Sequence, residues 1–178
     1  AAFKMYKHFL ELDGKVKVSI NMNESLQLRQ KRFNVRELVM LQKITSSCDA
    51  VDQLRLACSI FGGNGVIEDF SALPRLYRDA TVNELWEGPR NVLLSQIHRD
   101  LQQAKSWYSP AAFINSLLEG RDSKIKAGFI EELEEIVNHP NLMDNNDETI
   151  EICKKWDNLS HRLFHAYQDN ALQQVERG

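Results

Sequence analysis

The chain has 178 residues, with 22 lysines and arginines against 25 aspartates and glutamates and a net charge of −3. That length suits one domain, or one domain with a helical appendage, and buries a sizeable core, while the negative balance argues against a nucleic-acid partner. No apolar run approaches the ~20 residues that a bilayer requires, and no segment reads as a signal peptide.

The first residues, "AAFKMYKHFLELDG", lack an initiator Met and open directly in a helical pattern, so the chain is expected to be cut from a longer protein. Phe3, Tyr6, Phe9 and Leu10 form an apolar stripe that stops at Asp13-Gly14, a C-terminal cap signal. "KVKVSINMNES" reads equally as a short extended piece or a loop. From Leu26 the helical pattern resumes and runs far. Leu38, Leu41, Ile44, Cys48, Val51, Leu54, Cys58 and Phe61 keep a spacing of three or four, which predicts a bundle helix with one buried seam, ended by Gly62-Gly63.

Pro74 suits the start of a short helix, and "ATVNELW" is too brief and β-branched to assign. A further helix is expected from Pro89, another from Ser109-Pro110 to Gly120, and another over "SKIKAGFIEELEEIV", closed by His139-Pro140. "NLMDNNDET" is a polar loop with Asp and Asn capping candidates. The last helix carries Ile152, Trp156, Leu159, Leu163 and Ala166 at helical spacing. The expected fold is therefore all-α, an antiparallel bundle of four long helices plus short ones. Trp107, Phe113, Phe129, Trp156 and Phe164 are expected in its core, and the run Glu131 to Glu135 on a solvated face.

Cys48, Cys58 and Cys153 are odd in number and embedded in apolar patterns, which predicts buried thiols in a reducing compartment. His161 and His165 lie four apart on one helix with no third ligand beside them in sequence, so no metal site is expected and the histidines read as surface residues. The acidic half is the second: residues 90–178 hold 10 basic and 14 acidic side chains, against 12 and 11 in residues 1–89.

One stretch stands apart, "FGGNGVIEDFSALPRLYRDATVNELWEG" at residues 61–88. By itself Gly62-Gly63-Asn64-Gly65 is a helix end running into a tight loop, Arg78-Asp79 a local ion pair, and Glu87 an acid preceding a helix. In this order, however, the Gly-Gly-x-Gly corner, the Arg-Asp pair and the Trp-Glu-Gly resemble the C-terminal helical domain of the flavin-dependent acyl-CoA dehydrogenase superfamily. The resemblance is strong over residues 58–100 and stops near 106. It implies a family domain over residues 1–105 and an additional helical extension over 106–178.

The resemblance also implies chemistry. Glu87 matches the glutamate that takes the α-proton of an acyl-CoA thioester while a hydride leaves the β-carbon for FAD; such a base needs partial desolvation to raise its proton affinity, and Trp86 is expected to exclude water. Gly62, Gly63, Asn64 and Gly65 match the segment lying along the FAD of a neighbouring subunit, where backbone donors matter. Asn91 is counted with the cofactor contacts. Arg78 and Asp79 match a pair that anchors the corner to the base-bearing segment. A homo-oligomer, dimer or tetramer, is implied, in the cytoplasm or in a eukaryotic mitochondrion, with no membrane, nucleic-acid or metal partner.

Three positions depart from the pattern: Ser59 and Asn91 stand where the family carries glutamines, and Pro89 where it carries threonine. Pro89 removes a hydroxyl and an N–H. The "WEGxxN" form resembles a divergent branch associated with the response to DNA alkylation damage, although the basic tail of that branch is replaced here by an acidic one. The expected function is the C-terminal domain of an acyl-CoA dehydrogenase-like oxidoreductase, inactive as an isolated domain. The alternative is a non-catalytic helical oligomerisation module.

Overall fold

A computed structural model describes residues 25–176, so the expected first helix and the "KVKVSINMNES" segment, apart from Ser25, lie outside the described residues. Among the described residues there are six α-helices and one 3-10 turn: α1 (Leu26–Ile60), the turn (Gly62–Val66), α2 (Leu73–Leu85), α3 (Arg90–Ala104), α4 (Pro110–Leu117), α5 (Ser123–Asn138) and α6 (Asp147–Glu176). The all-α reading is correct. No described helix is long and apolar enough to cross a membrane.

The boundaries follow from capping chemistry. Ser25 accepts a hydrogen bond from Leu28 N at 3.3 Å, Ser109 from Ala112 N at 3.1 Å, Asp122 from Lys124 N at 2.7 Å and Asn146 from Thr149 N at 2.8 Å. Each satisfies one of the amide groups that a helix start leaves without an intrahelical partner. Helix α3 begins at Arg90, one residue beyond the expected Pro89, which acts as its cap. "ATVNEL" is the second half of α2, because packing against α1 overrides the weak helix propensity of Thr81 and Val82.

Cross-helix contacts fix the directions. Along α1 from Arg36 to Cys48, the partners on α3 run backwards from Asp100 (2.9 Å) to Arg90 (3.0 Å), so α1 and α3 are antiparallel. Helix α2 turns at the glycine corner and returns along α1, where the Lys43 ammonium and the Ser47 hydroxyl reach Asn83 O. The α5 and α6 pair is antiparallel as well, bridged by Glu132 with Arg162 and Glu135 with Lys155. Part of the acidic run on α5 is therefore engaged with α6 rather than simply solvated.

The core is one cluster drawn from α1, α3, α4, α5 and α6, with Leu41, Ile97, Phe113, Leu133, Trp156 and Leu163 almost wholly buried. Trp156 also donates from Nε1 to Leu94 O at 2.9 Å, which satisfies its one polar atom inside the core. The expected aromatics are placed correctly: Phe113, Trp156 and Phe164 are buried, and Trp107 and Phe129 pack on the rim.

Two expectations need correction. The apolar seam of α1 is buried only as far as Ser47; beyond it Val51, Leu54 and Cys58 are half-buried, and Leu56, Ile60 and Phe61 are exposed. Periodicity identified the apolar face, but among the described residues this half of the helix packs mainly against α2 and the turn. Cys48 and Cys58 on α1, and Cys153 on α6, are half-buried, not buried. The histidines are not all surface residues either. His98 is buried, its Nε2 3.0 Å from Ile136 O, and burial lowers its pKa, with the backbone carbonyls of Ile136 and His139 opposing. His139 bonds to Thr149 at 2.9 Å.

Candidate functional site

Glu87 lies in the four-residue junction between α2 and α3, after Trp86 caps α2 and before Gly88 and Pro89. Among the described residues it is the non-glycine residue with positive φ, at +55°, and Gly88 follows at +108°. A side-chain-bearing residue pays for this left-handed conformation, and the double turn lifts Glu87 off the bundle. The carboxylate is exposed, and Trp86 beside it is 66% exposed. Trp86 therefore does not exclude water within this chain, contrary to expectation; any desolvation of Glu87 must come from a surface outside it.

Below the junction, α2, α3, the loop after α5 and α6 enclose a cleft of ≈ 710 Å³. Pro89, Asn91 and Leu94 form one wall, and Met143, Ile150 and Trp156 the other. Glu87 stands outside this lining. Arg90 closes the floor by donating to Cys48 Sγ at 3.0 Å and pairing with Asp157, which ties the start of α3 to both α1 and α6.

The corner lies at the other end of α2. Thirteen residues of helix separate the two, about 20 Å of rise, so the structure does not bring Gly62, Gly63, Asn64 and Gly65 to Glu87, while Asn91 lines the cleft that Glu87 stands outside. The glycines divide by role. Gly62 has φ +57°, and neither it nor Gly63 would meet any atom within 4 Å if given a Cβ, whereas a Cβ on Gly65 would sit 2.0 Å from Cys58 O. Gly65 is buried by packing on α1, while Gly62, Gly63 and Asn64 present bare, exposed backbone. Ser59 is not poised to contact a ligand here, since its hydroxyl donates to Leu56 O at 2.7 Å.

The corner is anchored, but not by an Arg78–Asp79 pair. Arg78 reaches across to Glu68, because successive residues on a helix point away from one another while Glu68, in the loop after the turn, faces α2. Asp49 is a residue that the sequence reading missed. It stands on α1 between His161 and His165 of α6, with Oδ1 3.0 Å from His161 Nε2 and Oδ2 3.3 Å from His165 Nε2. A separation of 112 residues left no local signal for it.

Residues 7–102, more than half of the chain, match the family described as "Acyl-CoA dehydrogenase, C-terminal domain". Acyl-CoA dehydrogenase family member 11 of Caenorhabditis elegans is 37% identical over 65 residues, which make up 36% of this chain and 10% of that protein. The similarity thus spans about a tenth of the length of the curated relative. No solved structure matches the chain.

Proposed function

The chain belongs to the acyl-CoA dehydrogenase C-terminal domain family, and from that membership we propose that it is the C-terminal helical domain of a flavin-dependent acyl-CoA dehydrogenase-like oxidoreductase, with Glu87 as the base that removes the α-proton of an acyl-CoA thioester. The observation that carries this reading is the backbone at Glu87. A glutamate held at φ +55° costs about 1 kcal/mol relative to glycine, and strain of this kind is retained where the side chain has a task at that point.

The exposed carboxylate and the exposed Trp86 indole form a surface that another domain can roof over. Covering them removes water, raises the proton affinity of the carboxylate and equips it to accept the α-proton. When bound, FAD accepts the hydride released from the β-carbon. The bare backbone of Gly62, Gly63 and Asn64 suits the FAD of a neighbouring subunit, with Gly65 holding the corner from within and Asn91 offering an amide in the first turn of α3. Since Pro89 has no N–H and the Ser59 hydroxyl is internally bonded, the cofactor contacts of this chain fall to the corner and Asn91. The isolated chain is inactive in this account, because the roof over Glu87 lies outside it.

The test is to produce the full-length parent protein and measure flavin content together with acyl-CoA-dependent reduction of an electron acceptor. A yellow protein that turns over acyl-CoA is expected; a well-folded, colourless and inert parent contradicts the proposal.

One observation favours a second reading, a non-catalytic oligomerisation module. Leu56, Ile60, Phe61, Val66, Ile67 and Phe70 are all exposed around the corner, an apolar patch of the sort that marks an interface. A parent that assembles into tetramers yet never acquires FAD would support the module over the enzyme.

A further inference from the structure

His161 and His165 are one turn apart on α6, which places their imidazoles side by side, with ring centroids 4.5 Å apart. Both turn Nε2 toward the same carboxylate, that of Asp49 on α1. We propose that Asp49, His161 and His165 form a binding site for one Zn2+ ion that clips α6 to α1.

Distance supports it first. Zinc bound at 2.0–2.1 Å to nitrogen and 2.0–2.2 Å to oxygen sets its tetrahedral ligand atoms about 3.3 Å apart. His161 Nε2 lies 3.0 Å from Asp49 Oδ1 and His165 Nε2 3.3 Å from Asp49 Oδ2, and one ligand atom from each of the three residues falls within 4.8 Å of the others. The remaining adjustment is a rotation of the three side chains that brings one oxygen and both nitrogens to zinc spacing.

Ligand type supports it second. Two imidazoles and one carboxylate suit zinc and its transition-metal neighbours, whereas Ca2+ and Mg2+ take oxygen ligands. The side chains are 36%, 41% and 30% exposed for His161, His165 and Asp49, so an ion can enter and water can fill the fourth position. The nearby cations are engaged elsewhere, Arg90 with Cys48 and Asp157 and Arg162 with Glu132. Each imidazole must be deprotonated at Nε2 to bind the ion, and the ion then takes over the task of holding both rings to Asp49. Its consequence is mechanical: the clip ties α1, inside the family-matched stretch 7–102, to α6, which lies beyond it.

The experiment is a titration of the untagged 178-residue chain with zinc chloride, read by calorimetry, by thermal melting and by long-range 15N NMR of the imidazoles. One equivalent is expected to bind, to shift the Nε2 signals of His161 and His165 but not of His98 or His139, and at 100 times Kd to raise the melting midpoint by about 5–10 °C. Asp49→Asn, His161→Gln and His165→Gln should each weaken binding by more than about tenfold while leaving the far-UV circular dichroism unchanged. Absence of stoichiometric binding overturns the proposal, as does binding that survives in the triple variant or that shifts other histidines instead. The NMR readout on the unsubstituted chain decides the matter even if a variant fails to fold.

Discussion

At Glu87 the backbone conformation and the side chain pull in opposite directions. A residue with φ +55° is more comfortable as glycine, so Glu87→Gly should raise the stability of this chain by about 1 kcal/mol, a gain of roughly 2–4 °C in melting midpoint. Calorimetric melting checks this; a lower midpoint would mean that the glutamate side chain holds the junction together, which its exposure argues against. Glu37 presents the reverse case. It is fully buried on α1, neither carboxylate oxygen has a hydrogen-bond partner, and burial, reinforced by Asp100 and opposed by Arg36, pushes its pKa up to about 8. The folded state therefore keeps a proton that the unfolded state releases near its ordinary value of 4.5, so stability falls as pH rises from about 4.5 to about 8. His98 acts oppositely: its lowered pKa removes stability as pH falls below its ordinary 6.5. Between pH 6.5 and 8 only Glu37 of these two contributes, by about 2 kcal/mol. Denaturation curves across that window should show the decline for the unsubstituted chain and a flat profile for Glu37→Gln. Glu87 stands out in the sequence because its neighbours form an ordered motif. Glu37 and Asp49 were not, since nothing local distinguishes a buried or bridging acid from one on a solvated face.

At the scale of elements, the glycine corner separates two uses of one residue type. Gly65→Ala must displace the Cys58 carbonyl and is expected to cost about 2–3 kcal/mol. Gly63→Ala, with open space and no left-handed φ, should change stability by less than about 0.5 kcal/mol. Chemical denaturation of the two variants separates them; equal losses would refute the division of roles. Helix ends such as Ser109-Pro110 and His139-Pro140 were legible because capping is local chemistry. The burial of α1 was not. Its spacing shows an apolar face from Leu38 to Phe61, but which half of that face is covered depends on α3 and α6, which meet only the first half, and on no feature of α1 itself.

For the whole molecule, the core runs without a break from Leu41 of α1 through Ile97 of α3 to Trp156 and Leu163 of α6. Division at residue 105 would strip α1 and α3 of the surfaces that α5 and α6 bury. The 178-residue chain should therefore unfold in a single calorimetric transition, and a chain ending at residue 105 should lack cooperative melting. Two resolved transitions would contradict this. A change near residue 106 was legible as the end of the family pattern, yet packing joins what the pattern separates, because side chains from both stretches fill the same interior.

The central claim concerns the chemistry at Glu87, and the most direct measurement is the rate of flavin bleaching on mixing acyl-CoA with the FAD-loaded full-length parent and with its Glu87→Gln variant, in the absence of any acceptor. Loss of a positioned base predicts bleaching slowed by about 10²–10⁴-fold in the variant, with the flavin spectrum before mixing unchanged. Bleaching at the same rate in both proteins would contradict the account.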